Sequence, residues 1–275
     1  MSHHASPSGG WQVEHSASEA YEQYLVPPIF APWAERLLET VDVESGEQFL
    51  DLACGTGIVA RRGAARVGED GSVVGLDINE DMLATARNAA GDRADSITWK
   101  QGDATDLPFD DGHFDVVCCQ QALQFFEEPG AALAEVHRVL RPGGRAAASV
   151  WRPLAFQPAY VALADALERH VRPEAGAMMR SPFPDWDGAT LREHFRGAGF
   201  ADVSITVEIG SVRYPSVATF VRREAASSPL AESIAALDRE PREALLEEVA
   251  EALEGYRDDD GIVSPMESFV VRADR

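Results

Sequence analysis

Lysine is almost absent from this sequence of 275 residues: Lys100 is the only lysine among 24 basic residues, which face 46 acids for a net charge of −22. A surface this negative repels nucleic acids and anionic membranes, so we expect neither as a partner. A GC-rich genome would explain arginine in place of lysine, but not the excess of acids. We therefore favour a source adapted to high salt, where charges are screened within about 3 Å at 1 M.

Long apolar runs and cysteine pairs are also missing. No stretch approaches the roughly eighteen consecutive apolar residues that indicate a membrane span. The first residues lack the basic and apolar regions of a secretion signal. Cys54, Cys118 and Cys119 have neither metal-ligand spacing nor the pattern of a disulfide framework. We expect a cytoplasmic protein that holds no metal.

From about residue 47 onward, short β-rich runs alternate with helical runs. This alternation predicts an α/β fold with a mostly parallel sheet covered on both faces. The predicted strands are 47–53, 71–77, 96–104, 113–123 and 145–151, and the helices between them are 58–68, 79–90 and 130–144.

Helical patterns also occur in three further segments: 16–41, the centre of 152–188, and most of 216–257. Residues 16–41 contain two helical pieces that we expect to be broken at Pro27 and Pro28. Residues 189–215 predict a helix, a glycine stop and then a strand, and this strand would form a terminal antiparallel pair with the strand 261–274. We predict an N-terminal helical lid over 1–45, and a main domain over 46–275 with lid insertions at about 152–187 and 216–257. The lid would cover the carboxyl edge of the sheet, where open α/β sheets bind ligands.

The stretch "FLDLACGTGIVARRGAARVG" (49–68) joins the first strand to the first helix. Gly55 and Gly57 fall in the turn, where a side chain would keep a ligand away from the backbone. Asp77, at the end of the second strand, lies where an acid can bind both ribose hydroxyls. This stretch alone leaves three alternatives open: S-adenosylmethionine (SAM), NAD and a purely structural turn.

Three other features favour SAM. Asp51 precedes the turn, where a carboxylate would repel a pyrophosphate but can hold an ammonium group. Asp103 ends the third strand, where it can accept from the adenine amine while the Ala104 N–H donates to a ring nitrogen. Finally, "RVLRPGGRAAASV" (138–150) ends a helix in a Gly-Gly turn before a strand, which is typical of one class of enzymes.

Four motifs, "FLDLACGTG", "VVGLDINEDMLATAR", "GDATDLPFDDGHFDVVCCQQALQFFEEP" and "LRPGGRAAASVW", follow one another over 47–151. In order and spacing they resemble class I SAM-dependent methyltransferases, above all the subgroup with the ubiquinone/menaquinone-biosynthesis C-methyltransferases. The resemblance implies a Rossmann-like, seven-stranded, mostly parallel sheet that ends in an antiparallel hairpin. Ala53 departs from the family, which often has a glycine there.

The same resemblance implies a SAM site, with S-adenosylhomocysteine (SAH) as product, built at the strand ends and closed by one lid aromatic. The methionine and ribose would contact Tyr24, Asp51, Ala53, Gly55, Gly57, Asp77 and Gln120, and the adenine would contact Ile78, Met82, Asp103 and Ala104. Trp11 and Tyr21 are weaker lid candidates. Most apolar and aromatic residues of the lid are expected in the core, but some would line a pocket for an apolar or aromatic acceptor; this group includes Phe30, Trp151, Tyr160, Met179 and Phe183.

We therefore expect O-, N- or C-methylation of a small-molecule acceptor by a monomer or homodimer. The alternatives are a non-catalytic SAM/SAH-binding module and an NAD-dependent oxidoreductase. No catalytic residue is named, because methyl transfer from a sulfonium depends mainly on positioning. If a base is used, His170 and His194 are the better histidine candidates. The sequence lacks the Asn/Asp-Pro-Pro-aromatic motif of enzymes that methylate base amines.

Overall fold

The computed structural model describes residues 15–275, and their side chains except those of 15, 16 and 92–94. Its centre is one sheet with the strand order β3-β2-β1-β4-β5-β8-β6, and a short strand β7 pairs only with β8. The strands are β1 Gln48–Leu52, β2 Ser72–Asp77, β3 Ile97–Gln101, β4 Phe114–Gln120, β5 Leu140–Trp151, β6 Asp202–Tyr214, β7 Arg257–Asp258 and β8 Gly261–Asp274.

The directions of the strands match the predicted Rossmann-like sheet. β1 to β5 are parallel, whereas β8 runs antiparallel to both β5 and β6. The predicted α/β fold with a terminal antiparallel pair is therefore confirmed. The two-residue β7 is an addition that the sequence did not predict.

Helices cover both faces of the sheet. The helices are α1 His15–Tyr24, α2 Ala31–Val41, α3 Ile58–Val67, α4 Glu80–Ala90, α5 Pro129–Val139, α6 Pro158–His170, α7 Pro173–Arg180, α8 Gly188–Gly197, α9 Val217–Ala226, α10 Ala231–Ala235 and α11 Arg239–Ala252. Because side chains alternate along a strand, Phe49 of β1 joins one apolar core with α2, α3 and α6, while Leu50 joins another with α5 and α8. Among the described residues, no helix is long and apolar enough to cross a bilayer.

The predicted boundary between the helix 130–144 and the strand 145–151 was wrong. The helix predicted over 130–144 ends at Val139, and Leu140 already has extended dihedral angles. Arg141 precedes Pro142, and a residue before proline avoids the helical region, so the chain enters β5 early. The predicted break at Pro27 and Pro28 is present, because α1 ends at Tyr24 and α2 begins at Ala31. A π-helical turn, Val26–Phe30, lies between the two helices, and the prolines occupy its first positions, where no N–H is needed.

Helices from the three predicted lid segments pack against one another. α6 contacts α11, and α9 contacts both α1 and α11. The Ser18 and Thr85 hydroxyls, 2.7 Å apart, join α1 to α4, and the Phe30 and Trp151 rings join the π-helical turn to the end of β5. The division into a lid and a main domain stays a prediction.

A buried ion pair holds the end of α2 near the amino ends of the parallel strands. Arg145 Nη1 and Nη2 lie 2.7 and 2.9 Å from the two carboxylate oxygens of Glu47, and both side chains are largely buried. Arg145 also donates to the carbonyls of Val41 and Asp42 at the end of α2. Burial alone would raise the pKa of Glu47, but the Arg145 guanidinium lowers it overall.

Arg145→Met should therefore destabilise the protein by about 3 kcal/mol, because it leaves the Glu47 carboxylate buried without its partner. Urea unfolding followed by circular dichroism measures the change. The matched control is Arg213→Met, which removes an equally bidentate but exposed pair with Asp258 and should have a much smaller effect. Equal losses in the two variants would contradict this account of Arg145.

Candidate functional site

A cavity of about 780 Å³ lies at the carboxyl ends of the parallel strands and extends under the helices of the lid segments. It contains nine of the eleven residues predicted to bind the cofactor. They are Asp51, Ala53, Gly55, Asp77, Ile78, Met82, Asp103, Ala104 and Gln120. The other two, Gly57 and Tyr24, are not among the lining residues.

The turn after β1 takes left-handed backbone angles three times, with φ of 53° at Ala53, 53° at Gly55 and 80° at Gly57. Gly55 has open space where a Cβ would stand, so it brings bare backbone to the cavity. A Cβ on Gly57 would lie 2.3 Å from the Trp99 ring, so this glycine is required for packing as well as for its backbone angle. Ala53 adopts its angle at a cost of about 1 kcal/mol.

Asp77 ties this turn to the start of α4. Its Oδ2 accepts from the Gly55 N–H at 2.7 Å, and its Oδ1 accepts from the Asn79 N–H at 2.9 Å. The side chain of Asn79 in turn caps α4. Burial raises the pKa of Asp77, and the two backbone donors offset part of that rise.

Asp51 lies deeper, at 1% exposure. Its Oδ2 accepts from the Ala60 N–H in the first turn of α3, at 2.8 Å. Burial, with the nearby charge of Asp77, raises the pKa of Asp51 to about 8. The charge of Arg61 offsets only part of this rise, so ionised Asp51 is a buried charge that a cation in the cavity would stabilise.

Asp103 differs because it is exposed. Its Oδ1 accepts from the N–H and the hydroxyl of Thr105, both at 2.8 Å. These hydrogen bonds lower its pKa, so the carboxylate is ionised at neutral pH.

Gln120 connects β4 to the π-helical turn. Its Nε2 donates to the Phe30 carbonyl at 2.8 Å, while its Oε1 is buried without a hydrogen-bond partner among the described residues. A buried amide oxygen without a donor is costly, so this group fits a ligand that supplies one.

The charged groups of the cavity wall are all acids. They are Asp51, Asp77, Asp103, Glu127, Glu128 and Glu224; no lysine, arginine or histidine is among the described lining residues. This wall favours a cation and disfavours a phosphate.

On the far side of the cavity, the aromatic residues were among the sequence candidates, whereas Glu224 was missed. Tyr21, named only as a weaker candidate, lines this side, together with Phe30, Trp151, Tyr160, Met179, Phe183 and Glu224. These residues come from separate lid segments and the end of β5, so no local motif joins them. For Glu224 the available signal was its helical spacing from Phe220 and Val221, which puts an acid on a buried apolar face.

The other candidates lie elsewhere. The Tyr24 ring faces the Arg223 guanidinium, whose central carbon is 5.6 Å from the ring centroid. Trp11 lies outside the described residues. His170 pairs with Glu248 at 2.8 Å and His194 packs on Trp186, so neither lines the cavity. Among residues 15–275, no His/Cys/Asp/Glu group is placed to hold a metal ion.

Comparisons with known proteins agree with this geometry. A methyltransferase-domain family matches residues 50–148. Nocamycin O-methyltransferase of Saccharothrix syringae is 33% identical over 70% of this chain and 73% of its own length. Demethylmenaquinone methyltransferase of Symbiobacterium thermophilum is 38% identical over 46% of this chain, which spans about half (51%) of that relative. A methyltransferase-like structure from Bacillus halodurans shares the fold, with a TM-score of 0.56 at 21% identity over 88% of this chain and 97% of its own.

The fold and the acid-lined strand ends are those of a Rossmann-like methyltransferase. The chain belongs to the class I SAM-dependent methyltransferases.

The buried charge of Asp51 makes a prediction for the ligand-free protein. Its folded pKa of about 8 exceeds its unfolded value of 3.8, so the folded state holds an extra proton between these values. The contribution of protonated Asp51 to the unfolding free energy is therefore complete below about pH 4, and it is lost as the pH rises to about 8. We therefore compare the unfolding free energy of Asp51→Asn with that of wild type at two pH values. The difference should shift in favour of the variant by on the order of 2 kcal/mol from about pH 5 to about pH 8.

Urea unfolding at the two pH values measures this gain. Asp202→Asn, at an exposed position in β6, the outermost strand of the sheet, is the matched control and should show no such gain. A gain in the Asp51 variant that does not depend on pH would contradict the conclusion that ionised Asp51 is a destabilising buried charge.

Proposed function

We propose that this protein transfers a methyl group from SAM to an uncharged, apolar small molecule held between the strand ends and the lid. One observation carries the proposal: a single cavity joins an acidic half at the strand ends to an aromatic half under the lid. The acidic half suits a cationic cofactor, and the aromatic half suits an acceptor of flat, apolar shape.

For the cofactor, we propose the residues that the sequence predicted and that line the cavity. Asp77 would accept from the ribose hydroxyls, and Asp51 would face the cationic methionine end. Ile78, whose side chain is 57% exposed, offers an apolar surface for the adenine beside Met82. Asp103 and Ala104 would bind the adenine edge, while Ala53, Gly55 and Gln120 would contact the methionine and ribose.

Two features support the fit of SAM. The open space at Gly55 lets a ligand lie against the backbone, and the unpartnered Gln120 Oε1 can accept from an ammonium. For the two predicted residues outside the lining, we propose indirect roles: Gly57 shapes the turn, and Tyr24 supports the lid, where Tyr21 is the aromatic in contact with the cavity.

For the acceptor, we propose an uncharged molecule with an aromatic or similarly flat ring. Trp151, Phe183 and Tyr160 form adjoining ring contacts on this side of the cavity. The absence of basic groups from the described wall argues against a phosphorylated or carboxylated acceptor. The names of the relatives above, an O-methyltransferase and a quinone methyltransferase, fit the same class of acceptor.

Bound SAM would supply an electrophilic methyl group on a sulfonium. The protein's contribution would be to orient the acceptor, to exclude water with the lid helices and to balance the cofactor's charge with Asp51 and Asp77. Such positioning is worth effective molarities of about 10⁵–10⁸ M.

The two alternatives fit less well. The acidic wall opposes the pyrophosphate of NAD, and a non-catalytic module would not need the aromatic half of the cavity. We further propose a cytoplasmic, salt-adapted protein, monomeric or homodimeric, that binds neither nucleic acid nor membranes. The net charge of −22 and the three free, buried cysteines support this.

Asp77→Ala should weaken SAH binding at least tenfold, which corresponds to about 1.4 kcal/mol, measured by isothermal titration calorimetry. Asp77→Asn, which keeps an oxygen for the Gly55 N–H, separates loss of the ligand contact from collapse of the turn, and Asp202→Ala is the surface control. Unchanged affinity in both Asp77 variants would refute the assigned ribose contact.

Incubation with labelled SAM and a panel of hydroxylated and amino-substituted aromatic compounds, at low and high salt, tests the activity itself. We expect label in an uncharged aromatic compound and none in its phosphorylated derivative. SAH binding without any transfer would favour the non-catalytic alternative, and binding of NAD in place of SAH would overturn the proposal.

A further inference from the structure

The aromatic half of the cavity contains one buried carboxylate, Glu224 of α9, with 4% exposure. Two tyrosines from different elements hold it: the hydroxyls of Tyr160 in α6 and Tyr214 in β6 both donate to its Oε1, each at 3.0 Å. Its Oε2 has no hydrogen bond to a described residue. One oxygen therefore fixes the side chain, and the other is left for a molecule in the cavity.

Glu224 lines the same cavity as the residues that we propose to bind the cofactor. Tyr21 lines the cavity too. Burial raises the pKa of its hydroxyl, and the charges of Glu22, Asp77 and Glu224 raise it further. Tyr21 therefore lies within electrostatic reach of both the ribose-binding acid and Glu224. An acceptor between these groups would have one end toward the cofactor and could reach Glu224.

Within the part of the chain that the structure describes, no cation pairs with this carboxylate. The titratable groups that face it are Tyr160, Tyr214 and Tyr21. Arg223 precedes it but lies over the Tyr24 ring, and α11, which packs against α9, contributes Leu245 to the apolar core. Burial raises the pKa of Glu224 to about 7, although the two tyrosine hydroxyls act to lower it.

We propose that Glu224 binds a hydroxyl group of the acceptor, of the phenol or enol type, and takes its proton during methyl transfer. This inference rests on the proposed function and adds the acceptor's reactive group. The acceptor oxygen forms a bond to the methyl carbon, and the bond from that carbon to sulfur breaks with its electron pair left on sulfur. The O–H proton passes to Glu224 Oε2, which becomes a neutral acid and returns the proton to water when the product leaves.

A hydroxyl fits this arrangement better than an amine. An aliphatic amine is protonated at neutral pH, so it has no free electron pair for the attack, and beside the sulfonium it would be a second cation in a dry cavity, where the two repel. A neutral hydroxyl meets no such repulsion, and its oxygen becomes more negative as the proton moves to Glu224. A base with a pKa near the working pH is also the efficient choice for such a proton transfer.

The probe for this inference is 2-naphthol, bound in the presence of SAH. When excited by light, 2-naphthol becomes a strong acid and emits at a longer wavelength once it has given its proton to a nearby base. Wild type should bind it about tenfold more tightly than 2-methoxynaphthalene, which has no proton to give, and the bound 2-naphthol should show the naphtholate emission. In Glu224→Gln, which can still accept from both tyrosines, that emission should be lost.

Tyr214→Phe supplies a second and independent readout. Tyr214 is not a lining residue, but its hydrogen bond lowers the pKa of Glu224. In wild type the naphtholate emission should appear as the pH rises through about 7, where Glu224 ionises. In Tyr214→Phe this midpoint should move to higher pH by about one unit, whereas a merely structural role of Tyr214 would leave it in place.

SAH affinity by calorimetry separates the two proposals. If SAH does not bind to wild type, the proposed function fails. If SAH binds equally to wild type and Glu224→Gln, but the naphtholate emission persists in the variant or the methyl ether binds as well as 2-naphthol, only the role of Glu224 is overturned.

Discussion

The rest of this structure depends on the burial of acids that form no salt bridge with any described residue. Asp51, Asp77 and Glu224 are each nearly enclosed, and burial raises the pKa of all three. Backbone N–H groups and tyrosine hydroxyls hold them, and neither kind of donor carries a charge. The acidic part of the cavity therefore suits a cationic cofactor, whose charge would balance these buried acids.

The acids at the strand ends could be predicted from the sequence because the relevant geometry is local. Once β1, β2 and β3 are recognised as parallel neighbours, their carboxyl ends must meet at one edge, which brings Asp51, Asp77 and Asp103 to the same cavity. The hydrogen bond from the Gly55 N–H to Asp77 is the direct result, across 22 positions of sequence.

The lid side could not be predicted in the same way. Tyr160, Tyr214 and Glu224 meet only because α6, β6 and α9 pack together, and no periodicity in the chain encodes that packing. Similarly, the contact between Gly57 and Trp99 depends on how β3 lies beside the turn, so a glycine expected to face the ligand is also needed by the core. Tertiary contacts of this kind override local patterns.

The position of β8 affects how the protein is made. This strand, Gly261–Asp274, lies between β5 and β6 and forms hydrogen bonds with both. During synthesis, β1 to β5 leave the ribosome long before β8, so the edge of β5 stays unpaired while more than a hundred further residues are added. The parallel half that carries the acids thus emerges first, with an open strand edge that invites wrong pairing until the late strand inserts.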